Sequence, residues 1–194
     1  IKAMDTALAG AEHPFTAIMG GSKVSDKIGV IKNLLNKVDS LLIGGGMANT
    51  FLLAQGYNMQ KSFVEKDNLD WAQTLLAQEE ADKIKLPVDV VVTDHLAEDA
   101  PYRVVSVDAI PENWMAVDIG PRTVAIYAEI IRQSKTVVWN GPMGVFEIDN
   151  FAAGTEGVAR AIGETDCLSI VGGGDSLAAI HKLGVEEQIS HIST

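Results

Sequence analysis

Thr16-Ala17-Ile18-Met19-Gly20-Gly21-Ser22-Lys23 is the stretch that decides the fold. A four-residue run with little polar character meets a glycine pair. A helical pattern then begins, with Val24, Ile28, Ile31, Leu35 and Val38 on one face, so a helix is expected over 24–38. The same order returns at 40–43, followed by Gly44-Gly45-Gly46 and a helix at 47–55. It returns at 136–139, followed by Asn140-Gly141-Pro142-Met143-Gly144 and a helix at 150–162. It returns again at 168–171, followed by Gly172-Gly173-Gly174-Asp175-Ser176 and a helix at 176–183. Most of these runs are nearly continuously apolar, which is how strands covered on both faces read. Further strands are expected at 88–93 and, most faintly marked, at 189–192. Pro121 reads as the first residue of a helix that turns Val124, Tyr127, Ala128 and Ile131 inward. Another helix is expected at 69–81. Residues 104–107 read as a short antiparallel excursion. Strands alternating with helices make this an α/β chain, with a parallel sheet of about six strands and helices on both faces.

The chain has 194 residues, 47% of them hydrophobic. That length suits one domain or at most two small ones and can bury a sizeable core. No apolar run approaches a membrane span, and Ile1-Lys2-Ala3-Met4-Asp5 contains no signal-peptide core. Residues 1–12 read as the end of a helix that begins before Ile1. The missing initiator Met makes a piece of a longer protein the expectation. Cys167 is the single cysteine, so an intrachain disulfide is excluded and a reducing, cytoplasmic setting is expected. In Cys167-Leu168-Ser169-Ile170-Val171 it reads as a strand thiol rather than a nucleophile. A net charge of −11 argues against nucleic acid as a partner, though not against a nucleotide. Arg103, Arg122, Arg132 and Arg160 are scattered and form no basic cluster in the sequence.

The glycine loops all follow strands. In an open parallel sheet the carboxyl ends of the strands form the ligand crevice. Glycine there admits a ligand close to the backbone, and the next helix aims free N–H groups at an anion. One such loop can be plain turn chemistry, and four on one edge favour a phosphate-bearing ligand over that alternative. The P-loop pattern G-x-x-x-x-G-K-[ST] and the nucleophile elbow G-x-S-x-G do not occur. The dinucleotide fingerprint fails at Asn49, its last position, which disfavours a dehydrogenase-type site. His13, His95, His181 and His191 are isolated and, with Cys167 alone, give no zinc spacing. Lys23 and Lys27, four apart, are expected on one face at a helix start. There they oppose the macrodipole unless an anion compensates, or else are solvated beside Asp26. Asp175 is either a helix N-cap or the carboxylate for a nucleotide's Mg²⁺. Asn140 and Glu147 flank the Gly-Pro loop as turn residues or ligand contacts.

Four segments resemble the phosphoglycerate kinase family: Gly20-Gly21-Ser22-Lys23-Val24-Ser25-Asp26-Lys27, Gly44-Gly45-Gly46-Met47-Ala48, Val138-Trp139-Asn140-Gly141-Pro142-Met143-Gly144-Val145-Phe146-Glu147 and Gly172-Gly173-Gly174-Asp175. Leu86 to Val91, Trp114-Met115, Asp118-Ile119-Gly120-Pro121 and His191-Ile192-Ser193-Thr194 resemble it too, so the likeness covers essentially residues 1–194. The resemblance implies a Rossmann-like nucleotide-binding domain, one half of a monomeric two-domain glycolytic enzyme. It implies phosphoryl transfer between 1,3-bisphosphoglycerate and ADP, giving 3-phosphoglycerate and ATP, with Mg²⁺ accompanying the nucleotide.

By position, Lys23 resembles the lysine that follows the transferring phosphoryl group, and Lys27 the one on the nucleotide phosphates. Gly173 and Gly174 resemble the catalytic loop's phosphate-facing backbone. Asp175 resembles the metal carboxylate, with Ser176 where the family usually has threonine. Asn140 resembles the asparagine near the polyphosphate, and Glu147 the carboxylate on the ribose. Gly45, Gly46, Leu96, Val117 and Val145 would line the adenine slot, beside Ala116 where many relatives have glycine. The family's basic acceptor-substrate domain and its final glycine loop and helix have no counterpart in this sequence. Binding without turnover is therefore the expectation. A stand-alone nucleotide-binding module that borrowed the fold is the alternative.

Overall fold

The computed structural model describes residues 10–184, 186, 189 and 191–192. The helix end expected at 1–12 lies outside the described residues except at 10–12, where Gly10 sits in a turn. Nine strands are described: β1 (Phe15–Met19), β2 (Ser40–Ile43), β3 (Ile84–Lys85), β4 (Asp89–Thr93), β5 (Tyr102–Ser106), β6 (Met115–Ile119), β7 (Thr136–Asn140), β8 (Leu168–Gly172) and β9 (His191–Ile192). The α-helices are α1 (Ile28–Leu35), α2 (Gly45–Ala54), α3 (Leu69–Leu76), α4 (Pro121–Arg132), α5 (Ala153–Gly163) and α6 (Gly174–Leu183).

Six strands make a parallel sheet in the order β3-β2-β1-β7-β8-β9, in which β3 and β9 have two residues each. Its alternate residues feed two separate apolar layers. Phe15, Ala17, Met19, Leu41, Ile43 and Val138 meet Ile31 and Leu34 of α1, Met47 and Phe51 of α2 and Leu75 of α3. Ile18, Leu42, Val137, Trp139 and Val171 meet Tyr127 and Ile131 of α4, Val158 and Ile162 of α5 and Ile180 of α6. Helices therefore cover both faces, which explains why the strand sequences do not alternate. The buried Tyr127 hydroxyl lies 2.6 Å from the Ile43 carbonyl and 2.9 Å from that of Lys85, tying α4 to the ends of β2 and β3. Among the described residues no helix is long and apolar enough to cross a membrane.

The structure departs from the sequence expectation at four places. The run expected at 88–93 is β4, the centre of a separate antiparallel sheet of order β5-β4-β6. Its place beside β2 is taken by β3. Val90 and Val92 pack towards Leu52 and Met59, while Val91 packs towards Val117 and Phe151. Such a strand is covered on both faces, so it looks in sequence like a central parallel strand. The excursion expected at 104–107 is β5, antiparallel to β4. Its partner β6 escapes the sequence pattern because Asp118 interrupts the apolar run. The helix expected over 24–38 starts only at Ile28; the Lys27 N–H bonds the Val24 carbonyl at 2.9 Å in a turn that precedes it. Lys23 and Lys27 therefore do not share a helix face. The helix expected at 69–81 splits into α3 and a 3-10 turn, Glu79–Lys83, with Gln78 extended between them.

Candidate functional site

The strand order reverses between β1 and β7: β2 and β3 build outward on one side, β8 and β9 on the other. The loops leaving β1 and β7 therefore part at the sheet's switch point, where an open α/β sheet forms its crevice. The glycine loops meet here. Gly21 N–H bonds the Pro142 carbonyl at 2.9 Å, Gly45 N–H bonds that of Met143 at 2.9 Å, and Met47 N–H bonds that of Gly21 at 3.0 Å. Contact this close needs glycine. A Cβ on Gly45, which sits at φ +71°, would lie 2.6–2.8 Å from backbone atoms of Gly21 and Pro142. Part of the glycine content is thus explained by loop-to-loop packing. Gly174 is different, because a Cβ there would meet nothing within 4 Å.

Gly174 opens α6. The N-cap, Gly173, has φ +91° and supplies no side-chain cap. No partner among the described residues accepts a hydrogen bond from the N–H of Gly174, Asp175 or Ser176. Unsatisfied amides at a helix start carry the positive end of the macrodipole. Across from them the Lys27 ammonium donates to Asn140 Oδ1 at 2.6 Å. Burial lowers the Lys27 pKa, while the nearby carboxylates of Asp26 and Asp175 pull it the other way. A half-buried cation, three free amides and the Asp175 carboxylate share this corner, with Asp26 beside the cation. Lys23 is exposed, with no ion pair among the described residues. Ser176 is fully buried, and its hydroxyl accepts the Gly141 N–H, so it braces the loop after β7.

Beside this corner lies a cleft of ≈280 Å³. Gly45 and Gly46 of α2, Met115 to Val117 of β6 and Gly144 to Glu147 line it. Leu96 and Phe63 flank it, and Asp175 stands at its rim. The structure therefore gathers Gly45, Gly46, Leu96, Val117, Val145, Glu147 and Asp175 around one cleft. Lys27, Asn140, Gly173 and Gly174 lie outside its lining, around the start of α6. Ala116 also lines it, and its N–H bonds the Ser62 hydroxyl at 2.8 Å. The Glu147 side chain is exposed, while its carbonyl and that of Phe146 accept from Lys182 Nζ at 2.8 and 2.9 Å.

Phe63 and Asp118 are among the lining residues that were not anticipated as site residues. Phe63 comes from the long connection after α2, seven residues beyond its single glycine, Gly56, and nothing local in the sequence marks it. Asp118 left a trace, a charge within an otherwise apolar strand. It accepts from Ile119 N–H at 2.9 Å and from Gly154 N–H, in the first turn of α5, at 2.8 Å. Burial pushes its carboxyl pKa up to about 8 against those two bonds.

Among the described residues, one carboxylate stands where a divalent cation could be held beside a bound polyphosphate. The Asp175 carboxylate is exposed beside the free amides, and no cluster of three or more His, Cys, Asp or Glu occurs among the described residues. One carboxylate plus ligand phosphates is a usual Mg²⁺ environment, so the donor set fits a metal arriving with a polyphosphate.

The family model described as phosphoglycerate kinase matches residues 1–194. The phosphoglycerate kinase of Moorella thermoacetica is 58% identical over 196 aligned positions, covering 100% of this chain and 50% of that protein. That of Rubrobacter xylanophilus is 56% identical, covering 98% of this chain and 48% of that protein. Among solved structures, phosphoglycerate kinase from Coxiella burnetii superposes with a TM-score of 0.95 at 48% identity, covering 100% of this chain and 50% of that one. The Pyrococcus horikoshii enzyme does so with a TM-score of 0.85 at 32% identity over the same shares. The chain thus spans about half the length of the curated relatives it matches.

Proposed function

The chain belongs to the phosphoglycerate kinase family, and from that premise we propose that it is the nucleotide-binding half of such a kinase. The cleft takes the adenine between Gly45-Gly46 and Val145, over Val117, with Leu96 at the edge. Glu147 reaches the ribose hydroxyls. The phosphates run to the start of α6, where the N–H groups following Gly173 receive them and Lys27 and Asn140 hold them from the opposite side. Asp175, with Ser176 behind it, holds Mg²⁺, which supplies charge neutralisation on the phosphates. Lys23, exposed and without an ion pair among the described residues, follows the phosphoryl group in transfer.

The observation that carries this reading is the uncapped start of α6. Free amides, the half-buried Lys27 and the Asp175 carboxylate converge there at the end of a largely apolar slot. None of the six described α-helices has a side-chain cap from its own N-cap residue, but the first-turn amides of α4 are bonded by Asp89, that of Gly154 in α5 by Asp118 and that of Met47 in α2 by the Gly21 carbonyl. The start of α6 leaves its amides open beside a cation, which suits an anion carrying its own metal.

Phosphoryl transfer of this kind needs positioning and charge neutralisation, with no covalent bond to the protein. The reaction would move a phosphoryl group between ADP and the acyl phosphate of 1,3-bisphosphoglycerate, in the cytoplasm. This half supplies the nucleotide side. Three of its four arginines serve elsewhere: Arg103 stacks on Trp114, Arg132 pairs with Glu164, and Arg160 pairs with Glu156, which leaves Arg122 alone and no basic cluster. The acceptor's basic site is therefore assigned to the other half of the relatives' length, and this chain alone binds without turning over. Titration calorimetry tests the reading. MgADP and MgATP should bind and NAD should not. NAD binding without adenine-nucleotide binding would overturn it.

A further inference from the structure

The geometry points to Glu65 as the residue that positions the lysine-bearing loop between Gly21 and Ile28 for the phosphates. This inference rests on the nucleotide reading above. The loop is irregular until Lys27, and it carries both lysines. Val24 anchors it from below, fully buried. On the solvent side, Ser25 lies midway between Lys23 and Lys27 and is bonded twice to one carboxylate. Its N–H donates to Glu65 Oε1 at 3.1 Å, and its hydroxyl donates to Oε2 at 2.8 Å. Among the described residues, only this contact and the Lys27–Asn140 bond tie side chains of residues 22–27 to the rest of the protein by hydrogen bonds.

Glu65 is itself held. Its N–H bonds the hydroxyl of the buried Thr50 at 3.0 Å, and Asn68 Nδ2 donates to its carboxylate at 3.3 Å. It also ends a strap along the cleft. Lys61 N–H bonds the Trp114 carbonyl at 3.0 Å, the Ser62 hydroxyl receives Ala116 N–H, and the Phe63 carbonyl receives Asn49 Nδ2 at 3.2 Å. Over five residues the strap joins the start of β6, the Phe63 side of the slot, α2 and the lysine loop. Two lysines placed before the start of α1 oppose its macrodipole. A loop so placed gains from an external acceptor that holds its middle. Glu65 thus fixes where Lys23 and Lys27 stand before any phosphate arrives, without touching the ligand itself.

Glu65→Ala, Ser25→Ala and their combination test this with two readouts. In the ligand-free chain, hydrogen exchange of the 22–27 amides should rise about tenfold in Glu65→Ala, as expected for losing two hydrogen bonds to a charged acceptor. MgADP affinity should fall about fivefold while adenosine, which reaches the slot but not the lysines, stays within about twofold. Ser25→Ala should show a smaller loss, and the double variant no more than Glu65→Ala alone. Unchanged exchange would overturn the inference. So would equal losses for adenosine and MgADP, because Glu65 would then only support the Phe63 side of the slot. Failure of the wild-type chain to bind MgADP would overturn the nucleotide reading and the phosphate role together. The exchange data would still decide whether Glu65 holds the loop.

Discussion

Gly174→Ala separates binding from stability. Gly174 is the first residue of α6, and a Cβ built on it meets no atom within 4 Å. The substitution therefore has no steric cost in the protein alone. It removes chain freedom from the unfolded state, so stability should rise by about 0.4–1 kcal/mol. The added methyl projects into the open space before the free amides, where the phosphates are proposed to lie. Pushing a phosphate off that position forfeits charge-assisted hydrogen bonds of about 1.5–3 kcal/mol each, and MgADP affinity should fall by at least about tenfold. Gly45→Ala is the contrast. At φ +71° with backbone 2.6–2.8 Å from the new carbon, it loses about 1–2 kcal/mol to the left-handed conformation before any clash is counted. Urea unfolding with MgADP calorimetry on both variants gives the comparison. If Gly174→Ala binds MgADP as tightly as the wild type, the phosphates do not approach this turn and the site is misplaced. If it destabilises, the open space is not open.

Two further outcomes are expected. The Asp118 carboxyl, pushed up to about 8 by burial, keeps its proton in the folded chain where the unfolded chain, near pKa 3.9, has released it. The stability it contributes is fully present below about pH 4 and falls by up to about 1.4 kcal/mol per pH unit until about pH 8. Asp118→Asn should flatten that part of the urea-midpoint profile between pH 5 and 8, and parallel profiles would remove the assignment. Asp175→Ala should weaken MgADP binding far more than metal-free ADP binding. Equal losses with and without Mg²⁺ would leave Asp175 only a helix-start residue, whose removal costs about 0.5–2 kcal/mol of stability.

The four strand–glycine–helix units were legible from residues alone, because apolar period and glycine punctuation act over a few neighbours. β2 falls where its sequence places it, and β1, β7 and β8 differ by one residue at an end. The resemblance named the family through strings such as Asn140 to Glu147, whose loop packing leaves little freedom of residue choice. The site was legible as a set of glycine loops, but not as a division of labour. Gly45 serves loop packing and Gly174 faces open space, though both sit in similar glycine triplets.

Sequence by itself determined that these strands are covered on both faces, that helices follow them, and that the glycines gather on one sheet edge. Only the tertiary structure decided which sheet Val90 to Val92 joins, since an apolar run records that its faces are covered and not by what. Only it could turn Lys23 and Lys27 off a common helix face, because the acceptor for Ser25 is Glu65, forty residues away. It also set Phe63 against the slot and buried Asp118 deeply enough to hold a proton near neutral pH. Those are consequences of distant atoms brought into contact, and local periodicity carries no information about the partner a residue will meet.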